Sequence, residues 1–173
     1  LLRSVDRRRW VREVPALVDA LYIVDWPAAR RLAAEAAEVA RSLDDPVAFP
    51  PLAYFCADFA LEAGDAEGVE RWLAALGTDV TGVWSADVEA LRIVVGAAVE
   101  PGSADRSAPR LLRLADDLRS AGDERWTTVA STAVCLYLWE GRPRAAAALV
   151  ERIGLDPTSP DLIALGALQR LLV

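Results

Sequence analysis

The chain contains no lysine, histidine, methionine or asparagine, and it has only two cysteines among its 173 residues. Serine–histidine and cysteine–histidine catalytic pairs, lysine Schiff bases and histidine-containing zinc sites therefore cannot form within it. Two cysteines are also too few for a zinc site built from thiolates. These absences predict a protein that is not an enzyme and that binds no metal or other cofactor.

Two pairs of adjacent acids are the remaining candidates for metal-assisted chemistry, because neighbouring carboxylates hold metal ions in all-helical prenyl-transferring enzymes. Asp44 and Asp45 precede Pro46, a combination that is typical of a turn. Asp116 and Asp117 lack the third acid of the metal-binding motif. We therefore predict no catalytic residue at either pair.

Long apolar runs are missing as well. No segment reaches the roughly 18–20 apolar residues that cross a bilayer, and no secretory leader pattern opens the chain. These patterns predict a cytoplasmic protein with no membrane contact, and the missing initiator methionine predicts that residues 1–173 are a single domain cut from a longer protein. A net charge of -7 argues against direct binding of nucleic acid by this segment.

The charge is unevenly distributed. All 19 basic residues are arginine, and five of them stand in residues 1–13, beside two acids. Such an arginine-rich start could bind a partner, but the interpretation we favour is a solvated face of the first helix. The two cysteines, Cys56 and Cys135, stand among apolar neighbours, so we predict that they are buried, reduced and too far apart for a disulfide.

Helix-forming residues dominate, and turn signals divide the chain into segments of helical length. Pro15 is expected to kink or split the first segment. The segmentation predicts about nine helices, near residues 4–24, 27–43, 50–63, 66–76, 85–99, 107–121, 124–140, 143–153 and 160–173.

Four tight turns recur at a nearly fixed spacing. They fall at Asp25, Gly64, Gly102 and Gly141, which are 39, 38 and 39 residues apart. Regular spacing in this range is typical of helical solenoids. Positions eleven, eight, seven and four before each turn share one helix face. All sixteen are apolar: Val14, Leu17, Val18, Leu21, Ala53, Cys56, Ala57, Ala60, Leu91, Val94, Val95, Ala98, Ala130, Ala133, Val134 and Tyr137. The pattern predicts an all-α, antiparallel helix-hairpin solenoid with four hairpins of 38–39 residues and a C-terminal helix.

The hairpin residues resemble the tetratricopeptide-like (TPR-like) superfamily, which has apolar residues in the first helix, glycine at the turn and alanine in the second helix. Tyr137, Gly141 and Ala146 match these three features. A closer likeness is to helical segments of large bacterial LuxR-type and antibiotic-regulator-type transcription regulators, carried by Gly122-Asp123 with Trp126. The resemblance covers about residues 10–157, although the repeat is longer than the usual 34 residues and the proline that ends each unit is matched only approximately, by Pro157. It implies a non-catalytic scaffold or sensor that binds a protein or peptide segment.

In this family the first helix of each hairpin lines a concave groove. Its positions, carried over to this chain, are Arg12, Asp19, Tyr22, Tyr54, Asp58, Glu62, Glu89, Arg92, Glu100, Thr128, Ser131, Leu138 and Trp139. An aromatic residue and two acids on one helix face suit a basic peptide, with Tyr54 and Trp139 as anchors. The alternative is that the charges form a solvated face and that Trp139 packs against the last helix.

The last segment, residues 161–173, is strongly apolar. It either caps the stack or opens a further repeat, and in the second case its exposed face would favour a homodimer. Two other functions stay open: a homo-oligomerising scaffold, and an all-helical domain that senses a small molecule in a closed apolar cavity.

Overall fold

The structure is a computed structural model that describes residues 4–78, 80–82 and 84–156. Within these residues all regular secondary structure is helical, which confirms the all-α prediction. The eight helices are α1 Ser4–Val24, α2 Trp26–Ser42, α3 Phe49–Glu62, α4 Ala66–Leu76, α5 Ser85–Val99, α6 Ala104–Ser120, α7 Trp126–Trp139 and α8 Pro143–Ile153. The predicted ninth helix, 160–173, lies outside the described residues.

All four predicted turns fall between consecutive helices, at the junctions α1–α2, α3–α4, α5–α6 and α7–α8. Side-chain capping explains where α2 and α4 begin. Asp25 Oδ1 accepts a hydrogen bond from the Ala28 amide at 3.0 Å, and Asp65 Oδ1 accepts one from the Gly68 amide at 2.8 Å. Each carboxylate satisfies an amide that the first helical turn leaves without a partner.

Two of the described helices contain an internal proline. α1 runs through Pro15 as one helix with the predicted bounds, so of the predicted kink or split the split does not occur. The ring removes a single backbone donor, while Val14 and Val18 on either side of it are buried in the core. α6 begins at Ala104, three residues before the predicted start, with Pro109 inside it. Its first amide donates to Glu140 Oε1 at 2.7 Å, so its N-terminus is held by a residue remote in sequence.

Most helices end on a left-handed residue. At Gly64 and Gly141, with φ of 70° and 69°, the next amide donates to a carbonyl five residues back, which is the Schellman arrangement. α2 ends in the same way without a glycine. Asp44 takes φ 48°, and the Asp45 amide donates to the Ala40 carbonyl at 3.1 Å.

The chain divides into two compact units, Leu1–Val88 and Glu89–Val173, with the boundary inside α5. In the first unit α2 packs against both α1 and α3, and α3 packs against α4. Its core sets an alanine face of α2 against larger side chains of α3, including Leu52 and Phe59. In the second unit α7 packs against α6 and α8, around Leu111, Val134 and Leu149.

Most of the predicted apolar face is buried or half-buried, but Leu17 and Ala98 are exposed. Cys56 and Cys135 are both buried free thiols, which confirms their predicted burial. Burial raises the pKa of each thiol to about 12, and for Cys56 the charge of Glu38 adds to that rise. Neither thiol is therefore a thiolate at neutral pH.

Candidate functional site

The first unit carries a cluster in which acids and aromatic rings meet, and we call it the acid–aromatic cluster. Its members are Tyr22 from α1, Trp26 from α2, and Tyr54, Asp58, Phe59 and Glu62 from α3. Tyr54, Asp58 and Glu62 are spaced by four residues, so they share one face of α3. The turn at Asp25 brings Tyr22 and Trp26 to that face.

Hydrogen bonds converge on Glu62. The Tyr22 hydroxyl donates to Glu62 Oε1, and Trp26 Nε1 donates to Glu62 Oε2 at 2.6 Å. The Tyr22 hydroxyl oxygen also lies 3.4 Å from Asp58 Oδ2. The two donors come from opposite sides of the α1–α2 turn, so Glu62 ties α3 to both helices of the preceding hairpin.

Aromatic rings pack against one another beside these acids. Tyr22 stacks on Phe59 with ring centroids 5.3 Å apart, and Trp26 meets Phe59 edge-on at 5.5 Å. On the other side the centroids of Tyr54 and Trp84 are 5.7 Å apart. Glu62 stays exposed to solvent beside these rings, whose faces could stack against a flat cation.

The environment of the cluster raises the pKa of several of its acidic groups. Burial, followed by the charge of Glu62, raises the pKa of Asp58 to about 7, although the hydrogen bond from Tyr22 opposes that rise. Burial, and then the charge of Asp58, also raises the pKa of both Tyr22 and Tyr54. Among the described residues neither Asp58 nor Glu62 forms an ion pair with an arginine. One arginine borders the cluster, since the Arg30 guanidinium lies 5.6 Å from the Trp26 ring centroid, but neither acid is ion-paired within the described part of the chain.

The structure brings together four of the predicted groove residues: Tyr22, Tyr54, Asp58 and Glu62. Asp19 is exposed on α1, and its charge contributes to the raised pKa of Tyr54. Trp26 and Phe59 were not predicted, because neither occupies a groove position carried over from the family. Trp26 could have been found from the turn at Asp25, because a residue at that turn lies close to α3, and Phe59 of α3 contacts it there.

Arg12, another predicted groove residue, lies outside the cluster and is exposed. Its Nε donates to Asp45 Oδ2 at 3.0 Å, and the Asp45 side chain is buried. Asp45 Oδ1 accepts from the Val47 and Ala48 amides at 3.1 Å each. Burial alone would raise the pKa of Asp45, but the bonds from Arg12, Ala48 and Val47 outweigh it and hold the pKa below its usual value.

Predicted groove residues in the second unit serve several separate contacts. Glu89 pairs with Arg110 at 3.1 Å, and Glu100 pairs with Arg106. Arg92 and Leu138 are half-buried, whereas Thr128 is exposed. Ser131 is only 1% exposed, so its prediction as a groove residue is wrong. α7 is covered by both α6 and α8, and this burial takes in the Ser131 position.

Trp139 stands at an open cleft of about 560 Å³ beside the turns at Gly102 and Gly141. Small and apolar residues form much of its lining, which includes Ala97, Ala98, Pro101 and Leu136. Arg142 at its edge donates to both carboxylate oxygens of Asp105, at 3.0 and 3.1 Å. The cleft is open to solvent, unlike the closed apolar cavity expected for a small-molecule sensor.

Comparisons with known proteins add no assignment: no family model, no curated protein and no solved structure matches this chain. In the described parts of the chain, no group of three or more acidic or cysteine side chains is arranged to hold a metal ion. None of the helices described combines the length and apolar character that crossing a membrane requires.

Proposed function

We propose that this chain is a non-catalytic binding module that recognises a basic segment of another protein. We further propose that its helix hairpins stack as a TPR-like solenoid, four hairpins followed by a ninth helix. Contacts near the repeat period support the stacking. Glu62 bonds Tyr22 and Trp26 at separations of 40 and 36 residues, and Arg142 bonds Asp105 at 37.

One observation carries the binding proposal: Asp58 and Glu62 lie within hydrogen-bonding distance of one phenol, and neither acid is ion-paired among the described residues, although the Arg30 guanidinium lies 5.6 Å from the Trp26 ring centroid. A guanidinium brings what the site lacks, because it is always charged, bonds carboxylates through two parallel N–H groups and stacks on rings. Its arrival would lower the pKa of Asp58 and release a proton. We therefore expect binding to tighten as the pH rises through about 7.

The test uses a fluorescein-labelled peptide of alternating arginine and alanine, titrated with the full chain and followed by fluorescence anisotropy. The double variant Asp58→Asn, Glu62→Gln should weaken binding by about tenfold or more, as expected when a desolvated charge pair is lost. The matched control is Glu35→Gln, Glu70→Gln, which removes two exposed acids elsewhere in the first unit. Equal weakening in both double variants would show that only net charge matters and would contradict the proposal.

The wider setting is part of the same proposal. The likeness to helical segments of bacterial transcription regulators favours a cytoplasmic sensor or interaction segment. The lack of histidine and lysine favours a role without catalysis. A homo-oligomerising scaffold is the second candidate, and large apolar side chains exposed on α1 favour it.

A further inference from the structure

α1 exposes an apolar stripe on the surface of the first unit. Leu17, Ile23 and Val24 are 51%, 92% and 83% exposed, and Ala16 and Ala20 are exposed between them. These five positions, which we call the α1 stripe, follow the 3–4 residue spacing of one helix face. The other large exposed apolar residues in the described chain, Val47, Val99 and Trp139, lie on separate elements.

The equivalent face of α3 is covered. Counted back from the turns at Asp25 and Gly64, Ala16, Leu17 and Ala20 correspond to Phe55, Cys56 and Phe59. Those three α3 residues are 6%, 6% and 1% exposed, because α3 packs between α2 and α4. This face of α1 is therefore apolar like the buried face of α3, yet it is exposed to solvent.

The charges along α1 indicate which occupant fits. Its first half carries the exposed residues Arg7, Arg8 and Arg9, of which Arg9 pairs with the exposed Glu13 at 2.9 Å. Its last turn has no basic residue and is followed by Asp25. If two copies of α1 cross antiparallel at Leu17, Arg9 of one copy faces Asp25 of the other, since each is eight residues from Leu17. The arginines then also lie beside the negative end of the partner helix dipole. A parallel pair would instead bring the arginine-rich ends together.

We propose that the α1 stripe is a self-association surface that binds a second copy of this chain in an antiparallel pair about a two-fold axis near Leu17. One stripe covers the other, and the arginine-rich start of each helix pairs with the acidic end of its partner. This inference concerns a different face from the acid–aromatic cluster and does not rest on peptide binding. A single helix pair buries less surface than a typical stable interface, so we expect a Kd on the order of micromolar.

The test measures the mass of the full chain by sedimentation velocity and light scattering over a concentration series. We expect the mass to rise from one chain to two, with the midpoint moving to higher concentration in high salt. Leu17→Glu should keep the chain monomeric, while circular dichroism shows unchanged helix content because Leu17 is already half exposed. The matched control, Val47→Glu, changes another exposed apolar residue and should leave the dimer intact.

Disulfide trapping tests the orientation. Leu17→Cys should cross-link two copies under a mild oxidant, because a residue beside the two-fold axis faces its own counterpart. Arg9→Cys should not cross-link with itself in an antiparallel pair, and Cys56 and Cys135 are buried and should not interfere. A monomer at every concentration, a dimer that survives Leu17→Glu, or a cross-link through Arg9→Cys would each overturn the proposal.

Discussion

The two units make the same connection with different chemistry. In each, an acid at the end of one hairpin's first helix reaches back to the turn of the hairpin before it. Glu62 bonds the phenol of Tyr22 and the indole of Trp26, whereas Glu140 bonds the Ala104 amide and Arg142. The second unit neutralises its acid with an arginine and a helix N-terminus, and the first unit does not. A negative charge held by neutral donors can still attract a cation, which is why the proposed binding of a basic segment involves the first unit.

The largest loss of stability should come from removing the buried, hydrogen-bonded acid Asp45. Asp45 accepts from Arg12 and from two backbone amides while buried. Asp45→Ala would leave those amides without partners, and we expect it to cost about 3 kcal/mol of the free energy of unfolding. Urea denaturation measures this loss. A cost below about 1 kcal/mol would mean that water replaces the lost carboxylate.

Asp58→Asn should raise the free energy of unfolding, whereas Asp45→Ala lowers it. The folded-state pKa of Asp58 is about 7, well above the unfolded value of about 3.9. Its contribution to stability is therefore full below pH 4 and is lost as the pH rises to 7. We expect Asp58→Asn to stabilise the chain by roughly 1–3 kcal/mol at pH 8 and to have little effect at pH 4. Urea denaturation at the two pH values compares them, and a destabilised variant at pH 8 would show that the charge is well solvated.

Replacing Glu62 and Glu140 separately compares the two units directly. Glu140→Ala removes the acceptor for the first amide of α6, and we expect a loss of about 1 kcal/mol. Glu62→Ala should cost less, about 0.5 kcal/mol, because Glu62 is exposed and water can serve its two donors. It should also lower the pKa of Asp58, since the neighbouring charge is gone. Thermal melting measures both losses, and the reverse order would contradict this account.

The smallest effect should follow from a change at the end of α2. Asp44 occupies the left-handed conformation that glycine occupies at Gly64 and Gly141. Glycine adopts it without the clash of a Cβ atom, so Asp44→Gly should stabilise the chain by about 0.5 kcal/mol. The melting temperature should rise slightly, with Asp44→Ala as a destabilised control. If Asp44→Gly lowers the melting temperature, the Asp44 side chain must stabilise the chain by more than its backbone strain destabilises it.

Local signals in the sequence were sufficient for the helices and their junctions. Glycine and proline mark the turns at Gly64 and Gly141, and the four-residue spacing of Tyr54, Asp58 and Glu62 predicted a shared face. What the sequence could not show is which residues approach from elsewhere. The start of α6 was misplaced because Glu140, 36 residues away, bonds its first amide.

The errors at individual site residues have the same origin. Ser131 occupies a groove position by its distance from a turn, but that distance does not reveal that α6 and α8 both cover α7. Leu17 belongs to an apolar face that was predicted to be buried, yet it is exposed. The distance of a residue from a turn predicts which helix face it lies on, and its neighbours in space determine whether that face is buried.

Each unit also carries one natural reporter of its own opening. Cys56 lies in the first unit and Cys135 in the second, and both thiols are buried with a pKa near 12. A thiol reagent can reach either sulfur only after the surrounding helices separate. The rate at which each cysteine is labelled would therefore measure how often its unit opens, in the unmodified chain and with no engineered probe.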